Sequence, residues 1–185
     1  RRVLWEMIEE WRWKKPHNAL SRALDSYGFT EDAQNAIEQM VEAFAETAIL
    51  HELGERVCGE QLGSDWEEML SATDDRATEA LIRAVRDHLA DCLMVLPALL
   101  AEKNQAPLHF YFATMTGIRR QLFPALVEAY EESLIRSNAS PLKQVVREGA
   151  RHWLEGASQI LGAYRRRAAG SGVTLSAEMP DRLKF

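Results

Sequence analysis

Apolar residues recur at intervals of three and four along most of the chain, and the sequence contains no run of strict apolar–polar alternation. This periodicity is typical of amphipathic helices and predicts an all-α protein. Four long segments show it, and we predict helices over 30–62, 74–99, 108–134 and 140–168. Thr30 and Ser140 are the expected N-caps of the first and fourth helices, and Pro124 is expected to kink the third.

Long helices joined by short loops pack most simply as an antiparallel, up-down-up-down four-helix bundle. We predict this bundle over residues 30–168. A helical extension at 1–29 precedes it, and a C-terminal tail at 169–185 follows it.

The N-terminal extension opens with RRVLWEMIEEWRWKKP, which combines an apolar stripe with three tryptophans. The stripe consists of Val3, Leu4, Ile8 and Trp11. A membrane-surface helix uses tryptophan beside basic residues, but the acidic residues in this segment oppose anionic lipid. Packing onto the bundle and an arm that reaches a second copy are the other interpretations. Because Pro16 breaks the helix and allows such a reach, we predict a homodimer through this segment.

Composition and charge narrow the possible partners. The chain has 46% hydrophobic and 27% charged residues and a formal net charge of -6, which gives no general attraction to nucleic acid or anionic lipid. No apolar run reaches the roughly 18 residues of a membrane span, and the first residues are too charged for a signal peptide. Cys58 and Cys92 fall inside predicted helices, so we expect reduced thiols and a cytoplasmic protein.

Three histidines occupy inner-stripe positions where the pattern calls for a large apolar residue, and each has a carboxylate within one turn. The pairs are His51 with Glu55, His88 with Asp91, and His152 with Glu148. Residues three or four apart share a helix face, so each pair can present two ligands to one point. Reflecting the antiparallel helices through their loops places His51 level with about residue 87 and His152 level with about residue 53. The three pairs are therefore expected near one level of the bundle.

Imidazoles and carboxylates that converge inside a helical bundle bind iron, manganese or zinc. HELGE at 51–55 contains a His-x-x-x-Glu element, and EGARH at 148–152 places a glutamate and a histidine on one face. These elements resemble those of hemerythrin-like and ferritin-like metal bundles, a resemblance that implies metal storage, metal sensing or iron–oxygen chemistry. Only His51 and Glu55 match a family element residue by residue, because the Glu-x-x-His and His-x-x-x-His pairs of those families are absent here.

A second interpretation places the same histidines in a structural polar network of a non-catalytic helical interaction or accessory protein. Arg119 is positioned to pair with Glu55 or Asp91 in such a network, and the N-terminal tryptophans are typical of a partner surface. An open ligand pocket is a third interpretation. The sequence shows no glycine-rich phosphate loop and no nucleophile–base arrangement, so it leaves open whether the protein is an enzyme.

Overall fold

A computed structural model describes residues 2–14, 17–168 and 183–185, with side chains described at 4–9, 11–13, 17–166 and 183–185. Within these residues the regular secondary structure consists of helices, joined by turns and loops, and contains no strand. This confirms the all-α prediction. The helices are α1 (Arg2–Lys14), α2 (Ala19–Ser26), α3 (Ala33–Leu62), α4 (Ser64–Ser71), α5 (Arg76–Ala90), a π-helical turn (Asp91–Val95), α6 (Leu96–Ala101), α7 (Ala106–Thr114), α8 (Gly117–Leu122), α9 (Pro124–Ile135) and α10 (Ser140–Ala168). Of the predicted C-terminal tail, residues 169–182 lie outside the described part.

Side-chain caps fix where the long helices begin. Asp32 accepts a hydrogen bond from the Asn35 amide at 3.1 Å, so Asp32 caps α3 and the predicted cap at Thr30 is wrong. Asp75 caps α5 by accepting a hydrogen bond from the Thr78 amide at 2.8 Å. At α10, the side chain of Asn138 accepts from the amide of Ser140 at 2.9 Å, and Ser140 is itself the first helical residue.

The predicted third helix is three helices rather than one. Between α7 and α8 the chain turns through Gly117, whose φ of 58° is accessible to glycine at little cost. Between α8 and α9 the break falls at Phe123, immediately before Pro124. Proline has no amide hydrogen and disfavours a helical residue before it, so the helix ends here instead of bending.

The chain forms two compact units, Arg1–Ile49 with Ala98–Met115 and Leu50–Pro97 with Thr116–Phe185. In the first unit, α2 packs on α7, and the α1 residues Leu4 and Ile8 are buried in the core. The Trp11 indole donates to the Ser21 hydroxyl at 2.9 Å and its ring meets Phe29 edge-on. Most of the predicted apolar stripe therefore packs within this unit, while Val3 lies outside the described side chains.

In the second unit, α10 packs along α5 and α9 and also contacts α4 and the π-helical turn. The buried side chains of this core include Trp66, Ile82, Phe123, Tyr130 and Trp153. The predicted domain boundaries at residues 29 and 168 stay a prediction. No helix in the described part of the chain has the length and apolar character needed to cross a membrane.

Candidate metal centre

A glycine sets the distance between the two helices that carry the candidate site. A Cβ atom built on Gly54 of α3 would lie 2.6 Å from the carbonyl oxygen of Ala90 at the end of α5. With no Cβ at this position, the two backbones can approach closely. His51 and Glu55, on the α3 turns flanking Gly54, consequently face Asp87 and Asp91.

His51 is held by one carboxylate and faces two others. Its Nδ1 lies 2.7 Å from Oδ1 of Asp91, and its Nε2 lies 3.5 Å from Oε1 of Glu55 and 3.9 Å from Oδ1 of Asp87. An ionised carboxylate only accepts hydrogen bonds, so Asp91 holds the imidazole proton on Nδ1. In the neutral imidazole the lone pair of Nε2 is then directed towards Glu55 and Asp87, whereas the imidazolium form, which the Asp91 hydrogen bond favours, carries a hydrogen on Nε2.

Burial and hydrogen bonding shift the acid–base properties of this group. The hydrogen bond to Asp91 raises the pKa of His51, while partial burial works in the opposite direction. Burial raises the pKa of Asp87, and the positive charge of Arg119 opposes that increase. The side chain of Asp91 is 2% exposed and that of His51 is 22% exposed, so solvent reaches the cluster from the imidazole side.

Two arginines contact the carboxylates from either side. Arg119 Nη2 forms an ion pair with Oδ2 of the buried Asp91. Arg86 Nη2 donates to Oε1 of Glu55 at 2.6 Å, and its Nη1 lies 3.3 Å from Oε1 of the exposed Glu67. The contact predicted between Arg119 and Asp91 is thus present. Three carboxyl groups and two guanidinium groups thus surround the imidazole of His51.

Asp91 begins the π-helical turn, where the hydrogen-bond register changes. The amide of Leu96 bonds to the carbonyl oxygen of Asp91, five residues earlier, instead of to residue 92. Pro97 follows and has no amide hydrogen, so the changed register costs no hydrogen bond at that residue. Single π-helical turns inside α-helices occur frequently at functional sites.

The comparisons with known proteins identify a family. Residues 1–182 match the model of the C-terminal domain of a family of unknown function (DUF6866). The chain belongs to this family. No curated protein and no solved structure matches the chain. Because the family carries no assigned activity, the chemistry of this family member has to be argued from its own residues, and the resemblance to ferritin-like and hemerythrin-like bundles stays a prediction.

His88, although it is adjacent to Asp87, lies apart from the cluster in a cage of aromatic rings. Its Nε2 donates to the backbone oxygen of Arg119 at 2.9 Å, and its ring stacks on Trp153 with centroids 4.7 Å apart. Phe123 contacts the imidazole edge-on at 5.3 Å. Burial lowers the pKa of His88 to about 3, so this histidine stays neutral and serves as a core residue.

The third predicted pair is also engaged elsewhere. His152 Nε2 donates to the backbone oxygen of Leu183 at 2.7 Å, and the imidazole stacks on Phe185. Glu148 accepts from the side-chain amide of Gln144 at 3.0 Å. The structure therefore brings together His51, Glu55 and Asp91 from the six predicted ligands, and it gives His88, Glu148 and His152 other partners.

Asp87 is a potential ligand that is not among the six residues predicted from the sequence. Its carboxylate, the imidazole of His51 and the carboxylate of Glu55 are the one group of potential metal ligands within 4.8 Å of one another among the described residues. The helix register pointed to this position, because His51 falls level with about residue 87. The sequence pattern instead indicated the neighbouring His88, because His88 interrupts the apolar stripe.

The two cysteines contribute no ligand to this group. Cys58 and Cys92 are both free and buried. Burial raises the pKa of Cys58 to about 12, so its sulfur is a protonated thiol at neutral pH.

Proposed function

We propose that His51, Glu55 and Asp87 bind a divalent transition-metal ion. The observation that carries this proposal is the orientation of His51, whose Nε2 faces two carboxylates at 3.5 and 3.9 Å while Nδ1 is held by Asp91. Ligands about 2.0 to 2.2 Å from a tetrahedral ion lie about 3.3 to 3.6 Å from one another. Small side-chain rotations therefore suffice to bring the three ligand atoms to such an ion.

Asp91 supports the proposal as a neighbour of a ligand. Histidines that bind metals almost always donate the other ring N–H to a carboxylate, a carbonyl or water, which fixes the tautomer and makes the ligand more basic. Asp91 accepts this hydrogen bond and is itself paired with Arg119. In the neutral imidazole, the lone pair of Nε2 therefore points towards Glu55 and Asp87, the direction that a metal ligand needs.

The ligand types restrict which metal is expected. One imidazole nitrogen and two carboxylate oxygens suit iron, manganese or zinc, whereas a site for a soft ion would require thiolates. Three protein ligands leave at least one coordination position open to water or a substrate. The proposed functions are accordingly metal storage, metal sensing or iron–oxygen chemistry.

The wider architecture that we propose is the antiparallel four-helix bundle with its N-terminal extension. The packing of α10 along both α5 and α9 supports it. We also propose a cytoplasmic protein, supported by the two free cysteines.

The alternative is a structural polar network in a helical interaction protein. It is favoured by the two arginines, because Arg86 bonds to Glu55 at 2.6 Å and Arg119 pairs with Asp91. A network of this kind stabilises the contact between its helices and needs no metal. The exposed Trp5 and Trp13 also favour a partner surface.

Metal-dependent stability separates the two functions. If the site binds metal, Fe(II), Mn(II) or Zn(II) at 100 times its dissociation constant adds about 2.7 kcal/mol to the free energy of unfolding. Asp87→Asn is expected to abolish the resulting rise in melting temperature. Glu79→Gln is the matched control, because this carboxylate lies on the same helix and pairs with Arg83 on the surface.

The measurement uses protein purified without chelators or an affinity tag, with native mass spectrometry to count bound ions. One ion per chain in the wild type and in Glu79→Gln, but none in Asp87→Asn, is the expected result. A wild-type protein that carries no ion and whose melting temperature ignores all three metals would refute the metal site and favour the network.

A further inference from the structure

The last three residues of the chain lie in a groove of the second unit. Phe185 donates its amide hydrogen to the Leu122 oxygen at 2.9 Å, and it accepts from the Ala125 amide at 3.1 Å. His152 donates from Nε2 to the backbone oxygen of Leu183 at 2.7 Å. We call this surface, formed by 122–125, His152 and Gly156, the tail groove.

The break between α8 and α9 makes the groove's backbone available. Pro124 ends the continuous helix, so the Leu122 oxygen has no helical amide partner and the Ala125 amide is one of the unpaired donors of the first turn of α9. Phe185 satisfies both groups with a single residue. One residue that offers both an amide hydrogen and a carbonyl oxygen therefore satisfies the helix break.

Two side chains of the segment enter the groove and one points outward. The Phe185 ring stacks on His152 with centroids 4.7 Å apart and an interplanar angle of 20°, and it meets Phe123 at 5.3 Å. Leu183 is 5% exposed, and its Cδ2 lies 2.9 Å from the position that a Cβ on Gly156 would occupy. Lys184, between them, is exposed.

We propose that the tail groove is a peptide-binding site that recognises a Leu-x-Phe segment, with Leu183–Phe185 as its intramolecular ligand. Folded domains commonly bind peptides through backbone hydrogen bonds, which give affinity, and pockets for individual side chains, which give specificity. The groove uses none of the residues of the metal centre, so this inference stands independently of the proposed function. The ligand that the tail groove would bind from another molecule is a peptide with leucine and phenylalanine two positions apart.

The tethered segment competes with any such peptide. A segment on the same chain is present at an effective concentration in the millimolar range, so it occupies the groove before a free peptide does. Removing the Phe185 ring takes away the stacking on His152 and weakens this competition. The Phe185→Ala protein should therefore bind the free peptide at least tenfold more tightly than the wild type.

The test measures fluorescence anisotropy of a labelled DRLKF peptide, the sequence of residues 181–185, with the Phe185→Ala variant of the 185-residue chain. Peptides DRAKF and DRLKA, which each lack one anchor, should bind at least tenfold more weakly. Adding Gly156→Ala to the Phe185→Ala chain should also weaken binding at least tenfold, because the new methyl group would lie 2.9 Å from the Cδ2 position of the leucine. Adding Gly59→Ala instead is the matched control, since nothing lies within 4 Å of its Cβ position.

Hydrogen exchange provides a second measurement that needs no substitution. In the wild type, DRLKF at millimolar concentration should speed exchange at the Phe185 amide, because the tail leaves the groove. The Ala125 amide should stay protected, because the incoming peptide accepts its hydrogen bond in turn. Peptide that leaves both amides unchanged, or that binds Phe185→Ala no better than DRLKA does, would overturn the proposal.

Discussion

Replacing Gly54 by alanine tests whether the close contact between α3 and α5 builds the proposed metal centre. The added Cβ would lie 2.6 Å from the oxygen and 3.0 Å from the carbonyl carbon and Cα of Ala90. All three are backbone atoms, so the helices themselves must separate. Overpacking of this kind costs about 1 to 3 kcal/mol, against a gain of about 1 kcal/mol from exchanging glycine for alanine inside a helix.

Gly59→Ala, on the same helix, makes the same exchange where nothing lies within 4 Å of the new methyl group. The helix gain cancels between the two variants, so Gly54→Ala should be less stable than Gly59→Ala by about 1 to 3 kcal/mol in urea unfolding followed by circular dichroism. Separation of the helices also lengthens the 2.7 Å contact between His51 and Asp91. The metal-dependent rise in melting temperature should thus vanish in Gly54→Ala alone. Equal stability and an equal metal response in both variants would refute this account of the site.

Two further predictions concern acid stability and assembly. Between pH 7.5 and pH 5 the free energy of unfolding of the wild type should fall by about 2 kcal/mol relative to that of His88→Gln. The reason is that the histidine protonates near its ordinary pKa of 6.5 in the unfolded chain, while burial lowers its pKa in the folded protein to about 3. Urea unfolding at both pH values checks this, and a difference between the two proteins that does not change with pH contradicts it. The predicted homodimer should appear by light scattering at micromolar concentration and dissociate when Trp5 and Trp13, 45% and 90% exposed, are replaced by serine; a wild-type monomer mass would rule it out.

The class of fold was readable from the sequence because helix periodicity is a local signal. Apolar residues at three- and four-residue spacing place the long helices, and short polar residues before them, such as Asp75, supply the caps. The division of the predicted third helix into α7, α8 and α9 was harder to predict from the sequence. Pro124 is compatible with either a kink or a break, and the choice depends on partners for the freed backbone groups. Phe185 supplies those partners from more than fifty residues away.

The site was predictable where its geometry is local or follows helix register. His51 and Glu55 are four residues apart on one helix. Asp91 lies three residues after His88, on the helix whose alignment places about residue 87 level with His51. The failure concerns His88, which shares a helix face with Asp91 in sequence but stacks on Trp153 in the structure. Whether a buried imidazole meets a carboxylate or an aromatic ring is decided by the residues packed against it, and helix periodicity carries no information about them.

The two arginines differ in a way that bears on how the cluster would accept a cation. Arg119 pairs with Asp91, which is 2% exposed, so breaking that pair would leave a buried charge alone. Arg86 contacts the Glu55 oxygen that faces the imidazole, but it also reaches Glu67, whose side chain is 68% exposed. Arg86 can therefore yield Glu55 to an incoming ion and keep a carboxylate partner. If the proposed site binds an ion, Arg86 is the guanidinium that the ion would replace at Glu55, while Arg119 would stay paired with Asp91 and keep the imidazole oriented.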